Sequence, residues 1–203
     1  MKFSLATVLL LLATACTSLF AQEPGSKPPF DMPKQFSVDC VMSMEAMPDM
    51  KTSMKIAMDG EKMRGTMNMP QGKSGILVRG DTQKMYTLKE DEKKYISLPY
   101  NASASPTASM FPPGVWTKLG PEEANGVKAT KYKLESNASG VPSTFFYWID
   151  PATSYPTRMV MDAAKVTVDF SNFKAGPQPA ALFELPADYT EEKMPAMPNM
   201  PTN

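Results

Sequence analysis

Apolar and polar residues alternate one by one along most of this chain, and a period of two points to one kind of secondary structure. In an extended strand successive side chains point to opposite faces, so such alternation describes a strand with one covered face and one wet face. Phe36, Val38, Cys40, Met42 and Met44 alternate with the mostly polar set Ser37, Asp39, Val41, Ser43 and Glu45. Met54, Ile56 and Met58 alternate with Ser53, Lys55 and Ala57. After Asp59-Gly60 the pattern resumes as Met63, Gly65, Met67 and Met69 against Lys62, Arg64, Thr66 and Asn68. An Asp-Gly pair between two such runs is a hairpin signal. Short apolar runs over 76–78, 85–88 and 95–98 continue the meander, with turns at Arg79-Gly80-Asp81 and Glu90–Lys93. A second series starts at Asn125-Gly126, with strands predicted over 127–136, 143–150, 158–162 and 166–170. The aromatic run Phe145–Ile149 is apolar on both faces, which predicts a central strand covered on both sides. No helical period of useful length occurs beyond the first twenty-odd residues. The expected fold is mainly β and a single domain. It is a strongly curved antiparallel sheet of about ten strands approaching an incomplete barrel, because a sheet that large must curl, split or close to hide its apolar face.

The ends of the chain have a different character. Lys2 precedes the apolar stretch Leu5–Ala15, which is shorter than the roughly 20 residues a membrane span needs and reads as an export signal. Two processing routes are open. One is cleavage after Ala21. The other is lipidation of Cys16 in the lipobox-like Leu12–Cys16, which would tether the protein to a membrane. Ala13 stands where a lipobox usually has Leu, which favours cleavage after Ala21. The division expected is a signal peptide over 1–21, a flexible Pro-rich leader over 22–34, the curved β domain over 35–189 and a disordered Met/Pro tail over 190–203. The stretch 100–120 breaks the strand rhythm. Two readings are open for it: a lid over the sheet, as a short segment or helix, or a disordered insertion. The protein is expected to be exported, periplasmic or secreted, with membrane contact only through a lipidated Cys16.

The 203 residues include no histidine. That removes Ser-His-Asp triads, Cys-His dyads and His-based zinc sites. The 21 basic residues balance 21 acidic ones, so no electrostatic nucleic-acid binder is expected. Ser171 and Lys174 have Ser-x-x-Lys spacing, but that motif needs a helix, and the alternation before it implies a strand. No catalytic residue and no cofactor are therefore expected, and the protein reads as a non-enzyme.

Ten of the 18 methionines fall between Met32 and Met69. Unbranched thioethers repack at little cost and suit irregular apolar ligands. The expected ligand is thus an apolar small molecule or lipid held against a concave face. The predicted lining is Met42, Met44, Met54, Met58, Met63, Met67, Phe146 and Trp148, with Phe111 and Trp116 from the lid. The same residues also fit a solid core. A second reading takes Met44, Met47 and Met50, with Met194, Met197 and Met200, as soft ligands sequestering Cu(I) in two MxxMxxM arrays. A third is a structural envelope protein whose sheet docks a partner. Cys40, in an alternating strand, is expected to be buried and unreactive.

Several motifs occur in a familiar order. Glu123-Ala124-Asn125-Gly126-Val127 leads to Thr130-Lys131-Tyr132, and Tyr147-Trp148-Ile149-Asp150 precedes Tyr155-Pro156. Val168-Asp169-Phe170 and the closing Leu182-Phe183-Glu184-Leu185-Pro186-Ala187-Asp188-Tyr189 follow. Together with the Met-rich first hairpins, this set resembles the exported bacterial family known as domain of unknown function 4412, over Phe36 to Tyr189. It is similar in layout to the lipoprotein carriers LolA and LolB. The resemblance implies an incomplete, highly curved antiparallel barrel with short helices at its mouth and an apolar cavity. The Arg and aromatic positions on which the carriers rely find no residue-by-residue match, so lipoprotein carriage is not implied.

Overall fold

The computed structural model of the protein describes residues 27–69, 72–100 and 110–193. Twelve strands form one sheet. In chain order they are β1 (Gln35–Met44), β2 (Met47–Asp59), β3 (Lys62–Met69), β4 (Gly72–Arg79), β5 (Lys84–Lys89), β6 (Lys94–Pro99), β7 (Val115–Ala124), β8 (Val127–Ser136), β9 (Ser143–Asp150), β10 (Tyr155–Met161), β11 (Val166–Ala175) and β12 (Thr190–Glu191). Two short 3-10 turns, Gly80–Thr82 and Ala180–Phe183, are the other regular elements among the described residues. The predicted hairpins form where the turn chemistry calls for them. Gly60 takes φ +60° in the two-residue loop between β2 and β3. Asn125 and Gly126 both take positive φ between β7 and β8, as a tight right-twisted hairpin requires.

The spatial order is β12-β6-β5-β4-β3-β2-β1-β11-β10-β9-β8-β7. Two antiparallel meanders, β1–β6 and β7–β11, join through the β1–β11 pair in the middle, where Cys40 faces Phe170 and Met42 faces Val168. Leaving β6 at one edge, the chain re-enters at β7 on the other. Among the described residues no ladder joins β7 to β12. The sheet is open and not strongly curled, which corrects the expected near-barrel. The physical reason is that the apolar faces are hidden by other means. Phe30, Met32, Met110 and Phe111 pack onto the front face, the side that carries Phe36, Val38, Cys40 and Ile56. Residues 180–189 pack onto the back. The edges are blunted as well: β12 pairs in parallel with Lys94 and Tyr95 of β6, and β7 carries a register break at Gly120 followed by Pro121, devices that discourage further strand addition.

On the back face, Phe183 seals a second core made of Ala57, Leu77 and Leu88, flanked by Tyr86, Tyr95, Leu185 and Tyr189. Ionic clasps hold this closing segment. Lys93 Nζ lies 2.8 Å from Asp188 Oδ2, and Lys89 Nζ lies 2.7 Å from Glu192 Oε2. The lysine hydrogen bonds hold both carboxyls below their usual range. A carboxyl depressed in the folded state contributes stability above its unfolded pKa, and that contribution is lost as pH falls through the folded value. Acidification through the carboxylate range should therefore loosen this end before the sheet. The check is amide protection: the amides of Tyr189–Glu192 should lose it on acidification while those of β1 and β2 keep theirs, and equal loss in both would contradict the clasp.

Candidate functional site

Strand register decides which methionines share a surface. Across β1, β2 and β3, Cys40 faces Met54 and Met54 faces Met67; the next row on this face is Val38, Ile56 and Gly65, and in the row after it Phe36 faces Met58 and Met58 faces Met63. Val78 opposes Met63, and Met85 opposes Val78. Residues directly opposite on neighbouring strands share a face with their Cβ atoms roughly 5 Å apart, so these side chains form one continuous strip. Met63 is buried, whereas Met42, Met54, Met58 and Met85 are half-buried against the same core. Met67 is half-buried in the same strip, and Met44 is half-buried at its end.

The half of the front face over β7–β11 has a different character, because aromatic rings fill it. Tyr155 stacks on Phe173 with ring centroids 4.1 Å apart and meets Phe170 edge-on. Phe111 stacks on Tyr147, and Phe30 packs edge-on against both Phe111 and Trp116. The Tyr147 hydroxyl donates to the Met110 carbonyl at 2.6 Å, pinning the end of the crossing segment to β9. Phe111 and Trp116 lie on the methionine face as filling of the aromatic half, and Trp116 belongs to strand β7, which corrects the expected lid over 115–120: those residues pair with β8 as the sheet edge. Residues 101–109 of the expected lid lie outside the described residues.

Phe146 and Trp148 are on the other face. They join Ala124, Ala129 and Val160 in a separate back-face cluster, while Phe145, Tyr147 and Ile149 face the methionines. Both parities of β9 are apolar, so the strand does not report its own orientation. The signal lies in its neighbour: Lys131 faces Trp148 and Lys133 faces Phe146, which assigns those two rings to the cationic side of β8. Lys131 Nζ sits 4.6 Å from the Trp148 ring centre, a cation–π contact over a ring that is itself buried. Residues missed by the sequence reading, Phe30 and Tyr155 above all, are the ones that fill the aromatic half. Phe30 belongs to the Pro-rich leader, where no alternation marks it.

The two Met-x-x-Met arrays fare differently. Met47 and Met50 are among the large exposed apolar residues, at the β1–β2 hairpin where Met44 faces Met47. Met194, Met197 and Met200 lie outside the described residues. Among the described residues no group of three or more His, Cys, Asp or Glu could hold a metal. Cys40 is 1% exposed; burial, with a smaller push from Asp39, raises its thiol to about 12. It stays protonated at neutral pH and is a poor nucleophile. Ser171 and Lys174 both lie in β11, so their spacing is not the helical one the acyl-transfer motif needs. Two open clefts, of about 590 and about 350 Å3, are lined by none of the methionines, and the smaller one borders Tyr155, Phe170 and Phe173 at the margin of the aromatic half.

A mainly β, single-sheet protein with an apolar, thioether-rich front face is the class these features define. Residues 39–149 match the family described as domain of unknown function (DUF4412), and the chain belongs to that family. Its fold is similar to an uncharacterized conserved protein from Thermus thermophilus, at 12% identity and a TM-score of 0.57, covering 80% of this chain and 92% of that one. LprF from Mycobacterium bovis matches at 14% identity and a TM-score of 0.45, covering 77% of this chain and 90% of that one. MucB, in a complex with MucA(peri), matches at 13% identity and a TM-score of 0.44, covering 76% of this chain and 55% of that one. No curated protein matches the chain. No helix among the described residues is long and apolar enough to cross a membrane.

Proposed function

We propose that this is an exported, non-enzymatic binding protein that holds an apolar ligand, an acyl chain in the first instance, against the methionine strip of its front face. One observation carries the reading. Met42, Met54, Met58 and Met85 are packed into the core without being fully buried, next to an aromatic half that is filled. A row of unbranched thioethers, each seated on one side and open on the other, is a surface that can re-form around a chain of variable shape. Each buried methylene contributes about 0.8 kcal/mol, so a groove that takes half of an acyl chain binds usefully.

The test is direct. Organic extracts of the purified protein should contain copurified lipid, and the protein should take up a fluorescent fatty acid saturably. Met54→Glu places a carboxylate in the middle of the strip and should weaken uptake by about tenfold or more, because the charge must be desolvated to admit the chain. A clean extract together with no uptake, or a Met54→Glu variant that folds and takes up the probe like the parent, would sink the proposal.

A further inference from the structure

Away from the methionines, register builds a hollow on the back face. Lys174, Ser37, Ala57 and Arg64 stand in one row across β11, β1, β2 and β3. Strands are spaced roughly 4.8 Å apart, so two cations bracket two small side chains. The small pair leaves depth between them, and the chain beyond β11 borders it through Gln178 and Leu182. The result is an open cleft of about 590 Å3, within the range of small-molecule sites. In the next row Asp39 faces Lys55 and Lys55 faces Thr66.

The charges in this cleft are unequally engaged. Arg64 is held from behind: its Nη2 donates to Glu90 Oε1, while the Tyr189 hydroxyl donates to Glu90 Oε2. Its other terminal nitrogen, Nη1, is buried and finds no acceptor among the described residues, although buried donors almost always have one. Lys174 is exposed at the opposite end of the row. Asp39 is the one carboxylate in the lining; it accepts from Asn172 Nδ2 at 2.8 Å, and Lys55 approaches it only at 4.0 Å with its side chain 79% exposed. Lys55, Arg64 and Lys174 outnumber Asp39 and Glu90 by one charge, and of the Arg64 guanidinium it is Nη1 that lacks an acceptor among the described residues.

We propose that the back-face cleft binds a small molecule through an oxyanion, a phosphate or carboxylate, seated over Ser37 and Ala57 between Lys174 and Arg64. Such a group supplies the acceptor that Nη1 lacks, and guanidinium with ammonium is the donor set that recognises it. The site is on the opposite side of the sheet from the methionine strip, so it stands or falls separately from the acyl-chain reading.

The experiment is an amide NMR titration with inorganic phosphate in one arm and dodecyl phosphate, below its micelle concentration, in the other. It is run on the parent, on a Lys55→Gln/Lys174→Gln variant, and on a Lys84→Gln/Lys128→Gln control. All four lysines are exposed, so neither variant should disturb folding. The expected result is saturable shifts at Ser37, Lys55, Ala57 and Thr66, weakened about tenfold in the first variant through the loss of two charge-assisted contacts and unchanged in the control. Saturation with phosphate alone identifies a free anion as sufficient; saturation only with dodecyl phosphate identifies the headgroup of a lipid. No saturable shift in either arm, shifts spread over lysines remote from the cleft, or equal affinity in the Lys55/Lys174 variant would overturn the proposal.

Discussion

Replacing Phe183 by Ala should lower stability by about 3–5 kcal/mol, the range for removing a large buried aromatic side chain. Phe183 is 1% exposed and sits on Leu77 and Leu88, both fully buried beneath it. Arg79 Nη1 donates to the Phe183 carbonyl at 3.2 Å and to Glu184 Oε2 at 3.1 Å, but a part-exposed guanidinium contact of that kind contributes far less than the ring. Loss of the ring leaves a cavity against β4 and β5 and lets water reach two leucines. For a domain of this size the thermal midpoint should fall by about 10 °C, with the same loss in urea. A change of less than about 2 °C would mean that the segment is not docked in solution, because no collapse of the site could offset so large a buried surface.

Tyr155→Ala should cost as much, about 3–5 kcal/mol, for a different reason. Tyr155 is 2% exposed at the centre of the aromatic half. It touches rings from three different parts of the chain: Phe36 on β1, Phe170 and Phe173 on β11, and Phe111 from the crossing segment. Those contacts tie the two meanders together across the central β1–β11 pair. The hydroxyl makes no side-chain hydrogen bond among the described residues, so Tyr155→Phe should cost less than about 1 kcal/mol. That contrast separates packing from polarity. Under the acyl-chain reading Tyr155→Phe should also leave fatty-acid uptake unchanged, because the aromatic half is filled and the methionine strip takes the ligand. Equal destabilisation by both substitutions would show that the hydroxyl, not the ring, matters here.

Much of the strand content was legible because alternation is a property of a single strand. Phe36 to Met44, Met54 to Met58 and Met63 to Met69 each announce one face without reference to any partner, and Asp59-Gly60 and Asn125-Gly126 announce their own turns through the backbone they favour. Strand β9 failed in an instructive way. With apolar residues at every position from Phe145 to Ile149, parity is silent, and only the lysines of β8 reveal which rings face the methionines. The expected closure of the sheet failed because strands are not the only cover for an apolar face. Phe30, from a segment with no strand pattern, and residues 180–189 cover apolar surface that curling would otherwise have to hide.

By itself the sequence determined a mainly β chain without histidine chemistry and with methionine concentrated on one side of its first hairpins. Those features depend on neighbours within a few residues. Tertiary structure alone decided that β11 returns to pair with β1, that Lys174 and Arg64 end up bracketing Ser37 and Ala57, and that aromatic rings gather on one half of the front face and methionines on the other. Each of these joins residues far apart in the chain, and a period of two carries no information about which strand a given strand will choose as its neighbour.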